Sequence, residues 1–336
     1  HTAHLLILEE AAFIKEGIFN EVLRPILLST HGKLIEISTP FGKSGFFYKH
    51  SQDTAQFRHH HIPWKVAADE GHIRKEDIEE ARRETPSHQF MAEYEAEFIA
   101  AAKNYFDPEV IKNCIDSELK TVDERDLLPD DYQADPGNYA LGMDIARAGE
   151  DSSVFIILKT GDEGKQQPHQ VVFIKEVQKN TIDAAVEYAL WLHQRFHFRR
   201  IFIDETGLGA GAVDHLRKEL NTPKFTKTVR PTYGESYRPA DIVFGVTFTL
   251  KNKIDMFSHL KLLMERDMLR FPYHPKLVWQ LNQFEYTTIE GSHNIKLHHP
   301  DVHGAHDDFP DALALACQGT RMKKSAIAWI GDDDGG

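Results

Sequence analysis

Tyr139-Ala140-Leu141-Gly142-Met143-Asp144 is an apolar run that stops on a carboxylate. Ser153–Thr160 and Gln170–Val177 follow as two more β-rich runs, and Gly161-Asp162-Glu163-Gly164 between them suits a hairpin turn. Thr181 is a capping residue for a helix through Phe196. Arg200-Ile201-Phe202-Ile203-Asp204 is a fourth strand that again ends on Asp, and Gly209–Leu220 is a helix. Phe225–Arg230 reads as a fifth strand, Lys253–Asp267 and Lys276–Phe284 as helices, and His293–Leu297 as a short strand. Asp307–Met322 reads as the last helix. Three strands in hairpin order, then alternating helices and strands, predict an α/β fold with a mixed sheet flanked by helices.

Three acidic stations stand out in that order. Asp144 and Asp204 end strands, and Asp307-Asp308 opens the last helix. Taken singly, an Asp after a strand is usually a turn former, and an Asp at a helix start is a cap. Taken together, carboxylates converging at strand ends make a cage for hard cations such as Mg²⁺ or Mn²⁺. Two such ions can clamp the attacking and leaving oxygens of a phosphodiester. The expected core ligands are Asp144, Asp204 and Asp308, with Asp151 and Asp307 as helpers and Asp311 ranked last. The doublet Asp307-Asp308 is costly unless a cation neutralises it. His298, His299, His303 and His306 precede it without a zinc spacing. They read either as an exposed polar loop or as a source of His306 to orient Asp308.

The rest of the composition bounds the partners. The chain has 336 residues and a formal net charge of −13, which argues against a general polyanion binder. Cations cluster locally: Arg195, Arg199 and Arg200; Lys224, Lys227 and Arg230; Lys251 and Lys253; Arg321, Lys323 and Lys324. Each cluster taken singly reads as solvated surface. No apolar run is long enough to span a membrane, and no secretory leader is visible. Cys114 and Cys317 are the two cysteines, which excludes a disulfide framework and fits a reducing compartment.

The first hundred residues form a partial α/β unit of their own. Leu5-Leu6-Ile7-Leu8 reads as a fully buried strand ending in Glu9-Glu10. Ile18–Leu28 has helical spacing, Lys33–Ser38 is a strand closed by Thr39-Pro40, and Gln56–Ile62 reads as a third strand. Helices are expected from Lys75 and from Ser87 to Phe98. Gly42-Lys43-Ser44 mimics the end of a phosphate-binding loop, but Ile37 stands where that loop needs glycine. The expected domains are 1–100, a linker over 101–138, a second domain over 139–325, and a disordered tail over 326–336.

Leu5–Phe13, Ser38-Thr39-Pro40 with Gly42 and Gly45-Phe46-Phe47-Tyr48, and Glu93-Tyr94-Glu95-Ala96-Glu97-Phe98 together resemble parts of the large terminase subunit of tailed double-stranded DNA viruses. In that resemblance Glu9 and Glu10 form a Walker B pair, with Glu9 where Asp is usual and Glu10 as the catalytic acid. Ser38-Thr39-Pro40 stands for the segment coupling ATP hydrolysis to DNA movement. Asp144, Asp204 and Asp308 match the acids of an RNase H-like, resolvase-related nuclease domain. The resemblance implies a partial P-loop ATPase domain followed by that nuclease, in a chain beginning mid-ATPase, with ATP used only by the full-length protein. It implies an endonuclease that cuts concatemeric double-stranded DNA with two Mg²⁺ or Mn²⁺ ions. Implied partners are double-stranded DNA, a portal protein, a small terminase subunit and further copies in a ring, in the host cytoplasm on a procapsid. The rival readings are a junction resolvase of the same fold and a non-catalytic docking subunit.

Overall fold

A computed structural model describes residues 2–40, 43, 45–85, 87–98, 104–119, 121–122, 124–129, 131–145, 152–162, 165–178, 181–207, 209–226, 239–288, 295–298 and 307–321. The chain divides into two compact units, His1–Lys120 with Thr247–Asp311, and Thr121–Val246 with Ala312–Gly336.

In the first unit, strands β1 (Leu5–Glu9) and β2 (Lys33–Ile37) pair in parallel, Leu5 opposite Lys33 and Glu9 opposite Ile37. A helical stretch joins them, with a π turn at Phe19–Leu23. Leu8, Ala11, Phe19 and Phe46 form the small core beneath, with the Phe19 and Phe46 rings stacked 3.9 Å apart. The expectation of a fully buried first strand is corrected. Leu5, Ile7, Ile35 and Ile37 are 49%, 53%, 44% and 57% exposed, so the apolar run covers a core on one face only. Gln56–Ile62 forms no strand. Its histidines bond to backbone carbonyls instead, His59 to His50 and His61 to Glu95 and Ala96.

The stretch read as a linker carries a core. Tyr105, Phe106, Ile111 and Cys114 are at most 1% exposed. Asp107 caps the helix Pro108–Cys114 by accepting from Glu109 N. The Tyr105 and Phe106 rings meet Phe284, and Phe106 meets Phe257 of the helix Leu250–Glu265. Lys261 Nζ donates to Tyr105 O at 2.8 Å. A hairpin of Glu285–Thr288 and Ile295–His298 and the helix Pro275–Gln283 complete what is described of this unit.

The second unit holds β3 (Tyr139–Asp144), β4 (Ser152–Lys159), β5 (His169–Gln178), β6 (Arg200–Asp204) and β7 (Val243–Val246). They are ordered β7-β6-β3-β4-β5. β3, β4 and β5 are antiparallel neighbours, as the hairpin pattern predicts, whereas β6 runs parallel to both β3 and β7. Leu141, Met143, Ile201 and Ile203 point into one core beneath helices Ile182–Phe196 and Gly209–Leu220.

The opposite face is covered by the last helix. A Cβ on Gly142 would lie 2.1 Å from Ala312 O and 2.4 Å from Ala316 N, and one on Gly319 would lie 2.3 Å from Ala140 Cβ. Only glycine at 142 permits this approach. Moving along β3 from 140 to 142 therefore means moving back along the helix from 319 toward 312, so the two run antiparallel. The expected fifth strand over Phe225–Arg230 is also corrected. Pro223–Thr226 is a helical turn, residues 227–230 lie outside the described residues, and the strand beside β6 is Val243–Val246.

Candidate active site

Asp144 and Asp204 end neighbouring parallel strands. Met143 pairs with Ile203, so one further step along both strands sets Asp144 beside Asp204, about 4.8 Å apart at the usual strand spacing. Met143 and Ile203 face the inner core. By strand alternation, Asp144 shares the face of Gly142, and Asp204 that of Phe202. Both acids thus lie on the side covered by residues 312–320, and both are only partly exposed. The turn after β6 explains part of Asp204. Its Oδ1 accepts from Thr206 N at 2.9 Å, Gly207 takes φ +73°, and a Cβ on Gly209 would sit 1.7 Å from Asp204 O. The turn-forming role is real, and it also holds the carboxylate at the sheet edge. Glu205 follows directly, its carboxylate so close to Gly245 that a Cβ there would clash at 1.9 Å.

Asp308 begins the helix Asp308–Cys317, and Asp307 O accepts from Asp311 N at 2.8 Å. Lys253 is the cation the sequence reading missed here. Its Nζ lies 2.5 Å from Asp307 Oδ2 and 3.1 Å from Asp311 Oδ2. Burial works against its charge, yet Asp311 and Asp307 outweigh that and hold its pKa above the ordinary lysine value. The charge of the doublet is thereby partly balanced by an ammonium group on a neighbouring helix. The signal was available: Lys253, Phe257, Leu260 and Met264 follow the apolar stripe of their helix.

Asp151 and His306 lie outside the described residues. Among the described residues, no group of three or more His, Cys, Asp or Glu side chains is gathered closely enough to hold a metal ion. The donor chemistry of Asp144 and Asp204, carboxylates side by side at a sheet edge, is that of a hard-cation site.

No protein-family model matches the chain. Proteins named "Terminase, large subunit" from Thermus virus P23-45 and Thermus phage G20c are each 25% identical to it over 337 residues, covering 94% of this chain. The chain is similar in sequence to large terminase subunits. It spans 61% of the length of these two relatives. A solved large terminase from another thermophilic bacteriophage shares the fold, with a TM-score of 0.51 at 12% identity over 94% of this chain and 69% of that one. That likeness bears on the fold, and the expected α/β class with a mixed sheet flanked by helices stands.

The two N-terminal acids lie at the end of the first strand pair. Glu9 ends β1, and Glu10 follows it in a left-handed conformation, φ 52°. Ser38, just past β2, donates to Glu10 Oε2 at 3.4 Å and accepts from Ala12 N at 3.2 Å. Glu10 and the first residue of Ser38-Thr39-Pro40 are thus in direct contact. Gly42 and Ser44 of the imitation phosphate loop lie outside the described residues.

Proposed function

We propose that this chain is a metal-dependent endonuclease, part of a large terminase subunit that cuts double-stranded DNA during viral genome packaging. The observation that carries the reading is the register of β3 and β6, which sets Asp144 beside Asp204 on one face. The covering helix supports it. Its residues from Ala312 onward run antiparallel to β3 against the face that carries Asp144, and Asp308 opens the same helix. Asp144, Asp204 and Asp308 are the proposed ligands, with Asp151 and Asp307 as helpers. Divalent cations, Mg²⁺ or Mn²⁺, would lower the pKa of the attacking water and balance charge on the leaving 3′-oxygen. The chain's own part is to hold the carboxylates at a rigid sheet edge. The Asx turn at Asp204 and the Lys253 pair at Asp307 limit how far the acids swing.

In the full-length protein, Glu9 and Glu10 would serve ATP hydrolysis, and the Ser38 contact supports a link from that acid to the coupling segment. The reading includes a portal protein, a small terminase subunit and a ring of copies as partners, and work in the host cytoplasm. No helix among the described residues is long and apolar enough to cross a membrane.

Plasmid nicking and linearisation in Mg²⁺ or Mn²⁺ test the reading. Asp144→Ala, Asp204→Ala and Asp308→Ala are each expected to lower the rate at least ~100-fold, the scale of removing a charge-stabilising group from an active site. A triple variant that cuts as well as the parent would sink the proposal.

A further inference from the structure

At the other end of β3, a half-open cleft of about 940 Å³ is lined by Lys159, Thr160, His169, Arg199 and Thr320 among others. A smaller recess of about 220 Å³ shares Arg199 with it and adds Arg200 and Arg321. Four cationic residues from three parts of the sequence thus border one surface of a chain whose net charge is −13. The one carboxylate among the described residues lining the cleft, Asp162, is paired with Lys165 at 3.3 Å. His169 Nδ1 accepts from Gly161 N at 2.9 Å, which places the neutral ring's proton on Nε2. Arginine, lysine and threonine side chains present donors, whereas the His169 ring is buried beneath them. Among the described residues lining the recess, Tyr139 is the one aromatic ring and is 5% exposed, so none of them offers an open ring for a base to stack on.

The geometry points to a second nucleic-acid contact here, one that grips the phosphate backbone of duplex DNA without reading bases. Donor-rich, positive and without a stacking platform among its described residues, the cleft suits phosphodiester oxygens, which position a duplex but carry no sequence information. It lies five residues along β3 from Asp144, about 17 Å at strand rise, too far to touch the reacting atoms. Its role is therefore to hold DNA while the carboxylate edge acts, and the inference rests on the DNA-cutting reading above.

Fluorescence anisotropy with a labelled duplex several turns long, Ca²⁺ replacing Mg²⁺, tests it. Lys159→Ala with Arg199→Ala is expected to weaken binding at least ~10-fold and to flatten the dependence of log Kd on log salt by about 2, since each lost phosphate contact is worth about 0.9. In Mg²⁺ the same variant should raise KM and keep kcat, and Arg199→Lys should restore most of the affinity. Sequence-scrambled duplexes should bind equally. Unchanged affinity and salt slope in a variant with the parent's circular dichroism and Tm would overturn the inference. So would equal displacement of the duplex by the same concentration of inorganic phosphate or free nucleotide, which would mark a small-anion site. Failure of the nuclease reading is separable: Asp144→Ala would then still cut, whatever the cleft variant does to binding.

Discussion

Lys253 shows how much one side chain can redirect a local reading. Its ammonium is largely covered, faces two carboxylates, and lies 5.4 to 5.9 Å from the Phe248, Phe257 and Phe284 ring centroids. Replacing it by alanine takes an ammonium partner from Asp311, 5% exposed, and breaking such a buried pair costs about 3 kcal/mol. Asp311→Asn should destabilise more than Asp307→Asn, because the Asp307 side chain is 36% exposed against 6% for Asp311. Urea melts of the three variants check this, and an equal cost at both positions would contradict it. His193 is a second buried group with a consequence. Burial, then the nearby His197, push its pKa down to about 4 from 6.5, and its ring packs between Phe198 and Phe225. The unfolded chain takes up that proton first, so its contribution is complete above about pH 6.5 and is lost as pH falls toward 4, by roughly 3 kcal/mol. His193→Phe should remove that part of the slope in denaturant melts across this window; an unchanged slope would contradict the assignment. Neither burial is written locally, since a lone Lys or His in a helix looks the same whether it faces solvent or core.

Among the elements, β3 is the one whose neighbours dictate its composition on both sides. Gly142→Ala would drive a Cβ into Ala312 O and Ala316 N, backbone atoms that cannot swing aside. The expected cost is about 2 kcal/mol or more from overpacking, with a matching fall in Tm, while Gly17→Ala, with nothing within 4 Å of its Cβ, should be tolerated. A Gly142→Ala protein as stable as the parent would mean the helix does not rest there. β1 makes the contrasting case. Leu8→Ala should cost about 2 kcal/mol or more, whereas Ile7→Ala should cost well under half as much, because Leu8 is 6% exposed and Ile7 53%. Thermal melts decide it, and similar losses at both positions would show that the exposed face is covered in solution. The run Leu5-Leu6-Ile7-Leu8 announced a strand correctly but not its burial, since an apolar residue records a tolerance for the core rather than arrival in it. The four-residue β7 was illegible because Gly245 interrupts its apolar pattern, and the reason for that glycine is the Glu205 carboxylate packed against it.

For the whole molecule, the charge balance and the path of the chain matter most. A net charge of −13 hides a cationic cleft, because the acids are spread along the chain while Arg199, Arg200 and Arg321 come together. Arg195, counted with them in sequence, is 3% exposed and spends its guanidinium on Leu127 O and Trp191 O. The path is interleaved as well: residues 247–311 belong with 1–120, so the two units are not two successive segments. By itself the sequence determined the strands β3 to β6, the helices that follow β5 and β6, the capping Thr181, and the positions of Asp144 and Asp204 at strand ends. Each of those rests on a local rule of period, cap or turn. Only the tertiary structure decided that the two strands are parallel neighbours in a register that aligns their acids, that Lys253 balances Asp307 and Asp311, and which arginines share a surface. Those are pairings between distant residues, selected by packing and charge in three dimensions, and no short stretch of chain encodes them.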